Sequence, residues 1–170
     1  MKKVLFVATI TKHITTFHLP YLKMFKEHGY EVHVATDDDA QIPYCDVHHK
    51  ISIRRNPFKI DNLKAIKQLK RIINEEKFDI VHCHTPMGSA VARLAAKKAR
   101  KNGTRVIYTA HGYHFYKGAP LINWLLYYPV EKWLARYTDT QITITQEDYD
   151  LAKKKFKIKD LHLVHGVGLD

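Results

Sequence analysis

Short apolar runs alternate with stretches of helical periodicity along the whole chain. Residues 3–9 form a β-branched, apolar run of the kind that opens a doubly wound sheet when a turn and a helix follow. Residues 11–16, which include His13 and Thr15, read as the first strand-to-helix loop, with hydroxyls placed to cap the next helix. In that helix Phe17, Tyr21 and Phe25 recur at i, i+4 beside Leu22 and Met24, and Gly29 stands at its C-terminal cap. Residues 31–36 are a second strand, closed by Asp37, Asp38 and Asp39. The aspartates read as a solvated loop, with His48 and His49 in the same irregular region. Residues 51–53 then make a short strand, broken by Arg54, Arg55, Asn56 and Pro57.

From residue 60 to 76, Leu63, Ile66, Leu69 and Ile73 mark one helical face. Residues 78–83 are almost unbroken in apolar character, as in a strand covered on both faces, and Pro86 stops it. Residues 88–101 form a helix whose alanines permit close packing, ended by Asn102 and Gly103, and residues 106–109 are the next central strand. Residues 121–137 are apolar on every side, a pattern of burial or of contact with an interface or lipid. Pro129 within it predicts a kink or two shorter helices. A strand over 140–145, a helix over 146–155 and a strand over 161–164 complete the chain. About six or seven strands alternating with helices predict an α/β, Rossmann-like, three-layer αβα sandwich around a mostly parallel sheet.

A chain of 170 residues, 45% of them hydrophobic, suffices for one well-buried domain. Its two cysteines, Cys45 and Cys83, are too few for a disulfide framework, and Cys83 lies in an apolar strand pattern that suits a packed thiol in a reducing cytoplasm. No apolar run reaches the roughly 20 residues that span a bilayer, and the first run is too short for a signal peptide. The net charge of +11 attracts phosphates in general. Between Asp79 and Glu131 there is no acid, while Arg93, Lys97, Lys98, Arg100, Lys101, Arg105 and Lys117 fall there. That run reads as a solvated helix face, or as an attraction for anionic lipid or a pyrophosphate.

In open parallel sheets the C-terminal strand ends line the ligand crevice. His84, Thr85, His111, Gly112 and His114 all follow central strands and form the candidate site. There is neither a G-x-G-x-x-G fingerprint nor a Walker lysine loop, so dinucleotide and P-loop sites are set aside. His82 and His84 have the spacing of a metal-binding pair, and His111 and His114 could add nitrogens, but no acid accompanies them; for His82 alone a hydrogen-bonded core histidine is the plainer reading. Ser89 lacks a nucleophile elbow, and paired carboxylates are missing from the crevice. Neutral donors near helix starts hold sugar hydroxyls or phosphates, which points to binding and transfer instead of hydrolysis.

The segment Asp-Ile-Val-His-Cys-His-Thr-Pro, then Tyr-Thr-Ala-His-Gly, then the closing His-Gly-Val-Gly-Leu-Asp resembles, in that order, the amino-terminal half of the family 4 glycosyltransferases of the GT-B fold. The Lys-Val-Leu-Phe-Val start and residues 131–147 extend the resemblance over essentially the whole chain. It implies retaining sugar transfer without a metal or other cofactor, from a nucleotide-sugar donor such as a UDP-sugar to a glycan or lipid-pyrophosphate-linked acceptor, in capsule, exopolysaccharide or other cell-surface polysaccharide synthesis. It implies that His111 stabilises the oxocarbenium-like transition state, that His84 and Thr85 lie on the cleft wall with Gly112 beside them, that His13 and Thr15 approach the donor pyrophosphate or the acceptor, and that Tyr113 and His114 shape the acceptor side. Residues 1–170 would then be the acceptor-side domain, inactive without a C-terminal donor-binding domain. The implied setting is cytoplasmic, peripheral on the inner face of the plasma membrane, with no role for nucleic acid. One departure stands out: the first loop, glycine-rich in many members, has no glycine here. A phosphate-binding module without catalysis and a histidine-rich metallohydrolase are the alternatives.

Overall fold

A computed structural model describes residues 1–166. Seven parallel strands form one sheet in the order β3-β2-β1-β4-β5-β6-β7. They are β1 (Lys2–Val7), β2 (Tyr30–Thr36), β3 (Val47–Lys50), β4 (Ile80–Cys83), β5 (Arg105–Ala110), β6 (Thr140–Thr143) and β7 (Asp160–Leu163). Helices α1 (Thr11–Phe17) and α2 (Leu19–Glu27) join β1 to β2, and α3 (Asp61–Glu76) joins β3 to β4. Then α4 (Pro86–Ala95) and α5 (Lys97–Lys101) lead to β5, α6 (Leu121–Leu134) to β6 and α7 (Gln146–Lys155) to β7. The strand order reverses between β1 and β4, and in parallel sheets the loops at such a reversal diverge and leave a crevice.

Alternation along β1 divides the core. Val4, Phe6 and Ala8 pack with Ile14, Leu22, Val32 and Val34 on the α1–α2 side. Leu5 and Val7 join the larger cluster on the other side, with Leu69 and Ile73 of α3 and Val91, Ala92 and Ala95 of α4. The small residues of α4 do allow close approach. A Cβ on Gly88 would stand 3.0 Å from the Cα of Ala8, so a glycine is needed where the helix start crosses the end of β1.

Several local expectations are corrected. The first loop is helical: α1 begins at Thr11, and Pro20 near the start of α2 divides the expected helix in two. His48 and His49 belong to β3, whereas Ile51 and Ile53 are buried but outside any strand. In β3 the two imidazoles reach β2, His48 bonding Thr36 and His49 bonding His33, so polar pairing makes an edge strand that apolar alternation did not signal. On α3, Leu63 is exposed and Asn62 is buried, because the Asn62 carboxamide accepts from the Arg54 amide and donates to the Asn56 carbonyl, which draws that side inward. Helix α6 continues through Pro129 and ends in a 3-10 turn, Ala135–Tyr137. The carbonyl that a proline at this position frees is that of exposed Leu125, on the outward side of the helix. Of the closing motif His-Gly-Val-Gly-Leu-Asp, residues 167–170 lie outside the described residues.

A histidine-lined cleft at the strand reversal

At the C-terminal ends of β1, β4 and β5 five imidazoles converge. His82 and His84 leave one face of the β4 end, His111 follows β5, and His13 and His18 come down from α1 and the α1–α2 junction. The ring of His18 lies 3.7 Å from that of His84, and Phe6 stacks behind His84 at 6.0 Å. His13 Nε2 is 3.3 Å from His111 Nε2. His82 bonds the Thr109 hydroxyl at 2.9 Å, the satisfied arrangement that its sequence context suggested. His18 and His84 are fully buried, and all four of their ring nitrogens lack a hydrogen-bond partner.

Burial holds these rings neutral. Desolvation, with the nearby imidazoles adding to it, lowers His13 to about 4 and His18 to about 2. It lowers His82 to about 3 and His84 well below the usual histidine range. His111, half-buried, is lowered by desolvation as well. The wall is therefore uncharged at neutral pH in spite of the chain's net charge of +11.

Thr85 holds the floor. Its hydroxyl caps α4 by accepting from the Gly88 amide, and it meets the amide and the hydroxyl of Thr9 at 3.2 and 2.8 Å. Its backbone is at φ 61°, ψ 150°, a region almost reserved for glycine. Opposite, the Asp38 carboxylate accepts from both the amide and the hydroxyl of Thr11, and so ties the β2 end to the start of α1. That contact lowers the pKa of Asp38 even though burial alone would raise it. Asp37 and Asp39 pair with Arg54 and Lys50.

A cavity of about 550 Å³ opens beside this wall. Thr9, His13, Thr85 and Arg55 supply its polar lining, while Phe58, Met87, Leu126, Tyr127 and Val130 make the rest apolar. His114 also lines it, its ring 5.0 Å from that of Tyr127. Gly112, at φ 114°, turns the chain out of β5.

The structure thus gathers His13, His84, Thr85, His111 and Gly112 around one cleft and sets His114 at the adjoining cavity. Two predicted residues turn their side chains to other partners. Tyr113 is buried, stacked on Phe115 at 4.8 Å with its hydroxyl against Gln141, because alternation after Gly112 sends it into the core. Thr15 bonds the Lys12 carbonyl within its own helix at 3.2 Å. The histidines that converge are also not the set read from β4 and β5 spacing: His18 and His13 enter it, and His114 stays out. Sequence reasoning missed His18, Thr9, Asp38 and Arg55. The polar residue that closes the first apolar run was the available signal for Thr9, and the three aspartates after β2 were the signal for Asp38.

A family model described as "Glycosyl transferase 4-like" matches residues 3–146. EpsD of Bacillus subtilis (strain 168), a protein provisionally named a glycosyltransferase, is 54% identical over 170 residues, covering 99% of this chain and 45% of the relative. An Escherichia coli UDP-Gal:alpha-D-GlcNAc-diphosphoundecaprenol alpha-1,3-galactosyltransferase is 28% identical over 109 residues, 64% of this chain and 28% of the relative. The chain therefore spans less than half the length of these curated relatives. Among solved structures, Staphylococcus aureus MnaA with UDP superposes with a TM-score of 0.67 at 17% identity, over 98% of this chain and 44% of that one. Anabaena Alr3699/HepE with UDP-glucose gives 0.66 at 12%, over 100% and 45%. At such identities the two structures establish the shared fold.

Proposed function

Since the chain belongs to the glycosyl transferase 4-like family, we propose that it is the acceptor-side domain of a retaining GT-B glycosyltransferase. In this reading a second domain presents a UDP-sugar to the cleft, and a lipid-pyrophosphate-linked glycan receives the sugar in cell-surface polysaccharide synthesis, at the cytoplasmic face of the membrane. The observation that carries it is the cavity, cationic at Arg55 and apolar along Phe58, Leu126, Tyr127 and Val130, which opens beside His13 and Thr85. A pyrophosphate joined to a hydrocarbon chain has that same division. The E. coli relative, by its name, acts on a diphosphoundecaprenol-linked sugar.

His111 follows β5 and is half-buried in the cleft. A neutral imidazole there offers a lone pair or an N–H to a sugar hydroxyl, and it adds no positive charge to oppose an oxocarbenium-like transition state. Gly112 frees the backbone to turn at that point, and His114 faces the acceptor. No cofactor enters the proposed reaction, the nucleotide-sugar being substrate. The phosphate-binding module and the metallohydrolase gain no support from the family match.

Helix α6 adds the lipid side. Leu121, Ile122, Leu125, Leu126, Val130 and Trp133 are all exposed on it, and Lys132 and Arg136 follow near its end. Among the described residues no helix is long and apolar enough to cross a membrane, so the contact proposed is peripheral.

Binding of a short-chain polyprenyl-diphosphate-linked N-acetylglucosamine, measured in detergent micelles with the 170-residue chain, tests the acceptor assignment. Saturable binding that Arg55→Ala and Leu126→Glu each weaken at least about tenfold is expected, as for loss of a charged or buried contact. UDP-sugar binding without any acceptor affinity would overturn it, and sugar transfer by this chain alone would overturn the division of labour. In a protein carrying both domains, His111→Ala should lower kcat by about 100-fold or more with acceptor binding kept.

A further inference from the structure

We propose that His13, His18, His84 and His111 form a binding site for a divalent transition-metal ion of the zinc class. The ion takes the His13 and His111 imidazoles that the sugar transfer proposed above uses, so the metal-loaded domain is a form closed to transfer and the ion has no step in it. The family resemblance carries no catalytic metal, and the site rests on the imidazoles alone.

One ring nitrogen from each of the four lies within 4.8 Å of one from every other. One pair, His13 Nε2 and His111 Nε2 at 3.3 Å, already has the separation of two ligands on one tetrahedral zinc: with Zn–N near 2.0–2.1 Å the edge is about 3.3 Å. The remaining pairs need to close by at most roughly 1.5 Å, within the reach of side-chain rotation. The other two rings, His18 and His84, are 1% and 0% exposed and have no partner for any nitrogen. Leaving a buried imidazole without partners is costly, and two packed against each other with ring centres 3.7 Å apart make an unusual core. A metal ion would take one nitrogen of each.

The donor chemistry selects the ion. Four neutral imidazoles with no carboxylate suit Zn²⁺, Co²⁺, Ni²⁺ or Cu²⁺ and reject Mg²⁺ and Ca²⁺, which need oxygen ligands. Because burial keeps the rings deprotonated, protons compete little for the site at neutral pH. A second group, Glu31, His33 and Glu76, is also close enough to hold an ion, but its valences are taken. His33 bonds Glu31 at 2.7 Å and His49 at 2.8 Å, and Glu76 holds Lys3 at 2.7 Å. The ligands of the proposed site come from α1, the α1–α2 junction, the β4 end and the β5 end, so the ion would fasten the α1–α2 layer to the sheet at the cleft.

The chain, stripped with a chelator, is titrated with Zn²⁺ by calorimetry and with Co²⁺ by visible absorption. One equivalent should bind with a dissociation constant below about 1 µM, and Co²⁺ should give the intense absorption of a tetrahedral site. His13→Ala and His111→Ala remove half-buried rings, so they leave the core intact; circular dichroism checks this. Each should weaken Zn²⁺ by about 100-fold or more. His162→Ala, at an exposed strand position, and Glu76→Gln, in the second group, should leave binding unchanged. A constant weaker than about 100 µM, an octahedral Co²⁺ spectrum, or loss of binding in Glu76→Gln instead of in the cleft variants would each overturn the proposal. Acceptor binding is measured without the metal, so failure of either reading leaves the other standing.

Discussion

Thr85 combines a strained backbone with three hydroxyl contacts, and the two act in opposite directions on stability. Thr85→Ala removes the cap and the Thr9 bonds but keeps the unfavourable φ of 61°, so a loss of about 1–2 kcal/mol is expected. Thr85→Gly loses the same contacts while relieving backbone strain of order 1–3 kcal/mol, and urea unfolding should find it the more stable of the two. Gly112→Ala probes the backbone alone: nothing lies within 4 Å of the added Cβ, yet φ is 114°. Its cost of about 1–3 kcal/mol should therefore appear without any change in packing, as an unaltered near-UV spectrum with a lower denaturation midpoint. At this scale the sequence was informative where a residue follows a strand. His84, Thr85 and His111 could be read because apolar runs end at them. His18 could not, since it sits among Phe17, Tyr21 and Phe25 in what reads as an ordinary helical face, and Tyr113 was misplaced because only the φ of Gly112 decides which way the next side chain turns.

Between elements, the main polar strut is Arg93 with Glu131. Both guanidinium Nη atoms meet the carboxylate, at 2.6 and 3.0 Å, Ser89 takes further bonds, and Tyr108 lies 4.3 Å below the cation. Burial alone would lower the Arg93 pKa, and Glu131 outweighs it and raises it. Glu131→Ala leaves a buried cation unpaired and should cost about 3–5 kcal/mol, whereas Arg93→Met with Glu131→Leu should come within about 1 kcal/mol of the parent in thermal unfolding. Arg93 had looked like one of several solvated basic residues. A charge run does not reveal that one member faces the core, and its partner is 38 residues away. Arg100 and Arg105 are likewise paired, with Asp139 and Asp160, at the sheet end opposite the cleft. The elements themselves were largely legible from periodicity, α7 to the residue and most strands within one or two positions. The exceptions, α1 and β3, are short and polar, and tertiary partners set them. Vesicles containing anionic lipid should retain the chain at low salt, and Leu125→Ser with Trp133→Ser should release it, as sedimentation would show.

For the molecule as a whole, the neutral histidines make stability depend on pH. Their folded pKa values lie below the unfolded value near 6.5, so the unfolded chain binds protons first as the pH falls. Their share of stability is complete above about pH 6.5 and is lost between there and about 4, where His13 titrates, with His82 and His18 following lower still. Each contributes a slope of up to about 1.4 kcal/mol per pH unit, and because a charged ring disfavours the next the protons are taken up one after another. Thermal unfolding of the chelator-stripped chain between pH 7.5 and 5 should show a clear drop, which His18→Phe flattens. The parallel architecture was legible because strand and helix patterns alternate from end to end. The cleft's composition was not, because convergence of distant loops depends on the reversal between β1 and β4.

Helix α6 links the end of β5 to the start of the parallel neighbour β6, so it must run back along the sheet, from the cleft to the opposite edge. If its exposed leucines and Trp133 rest on a lipid surface, the strands lie parallel to that surface and the cavity wall formed by Leu126 and Tyr127 lies beside it. A lipid-borne acceptor would then reach the cavity by lateral diffusion in two dimensions, and turnover would follow its surface density instead of its bulk concentration.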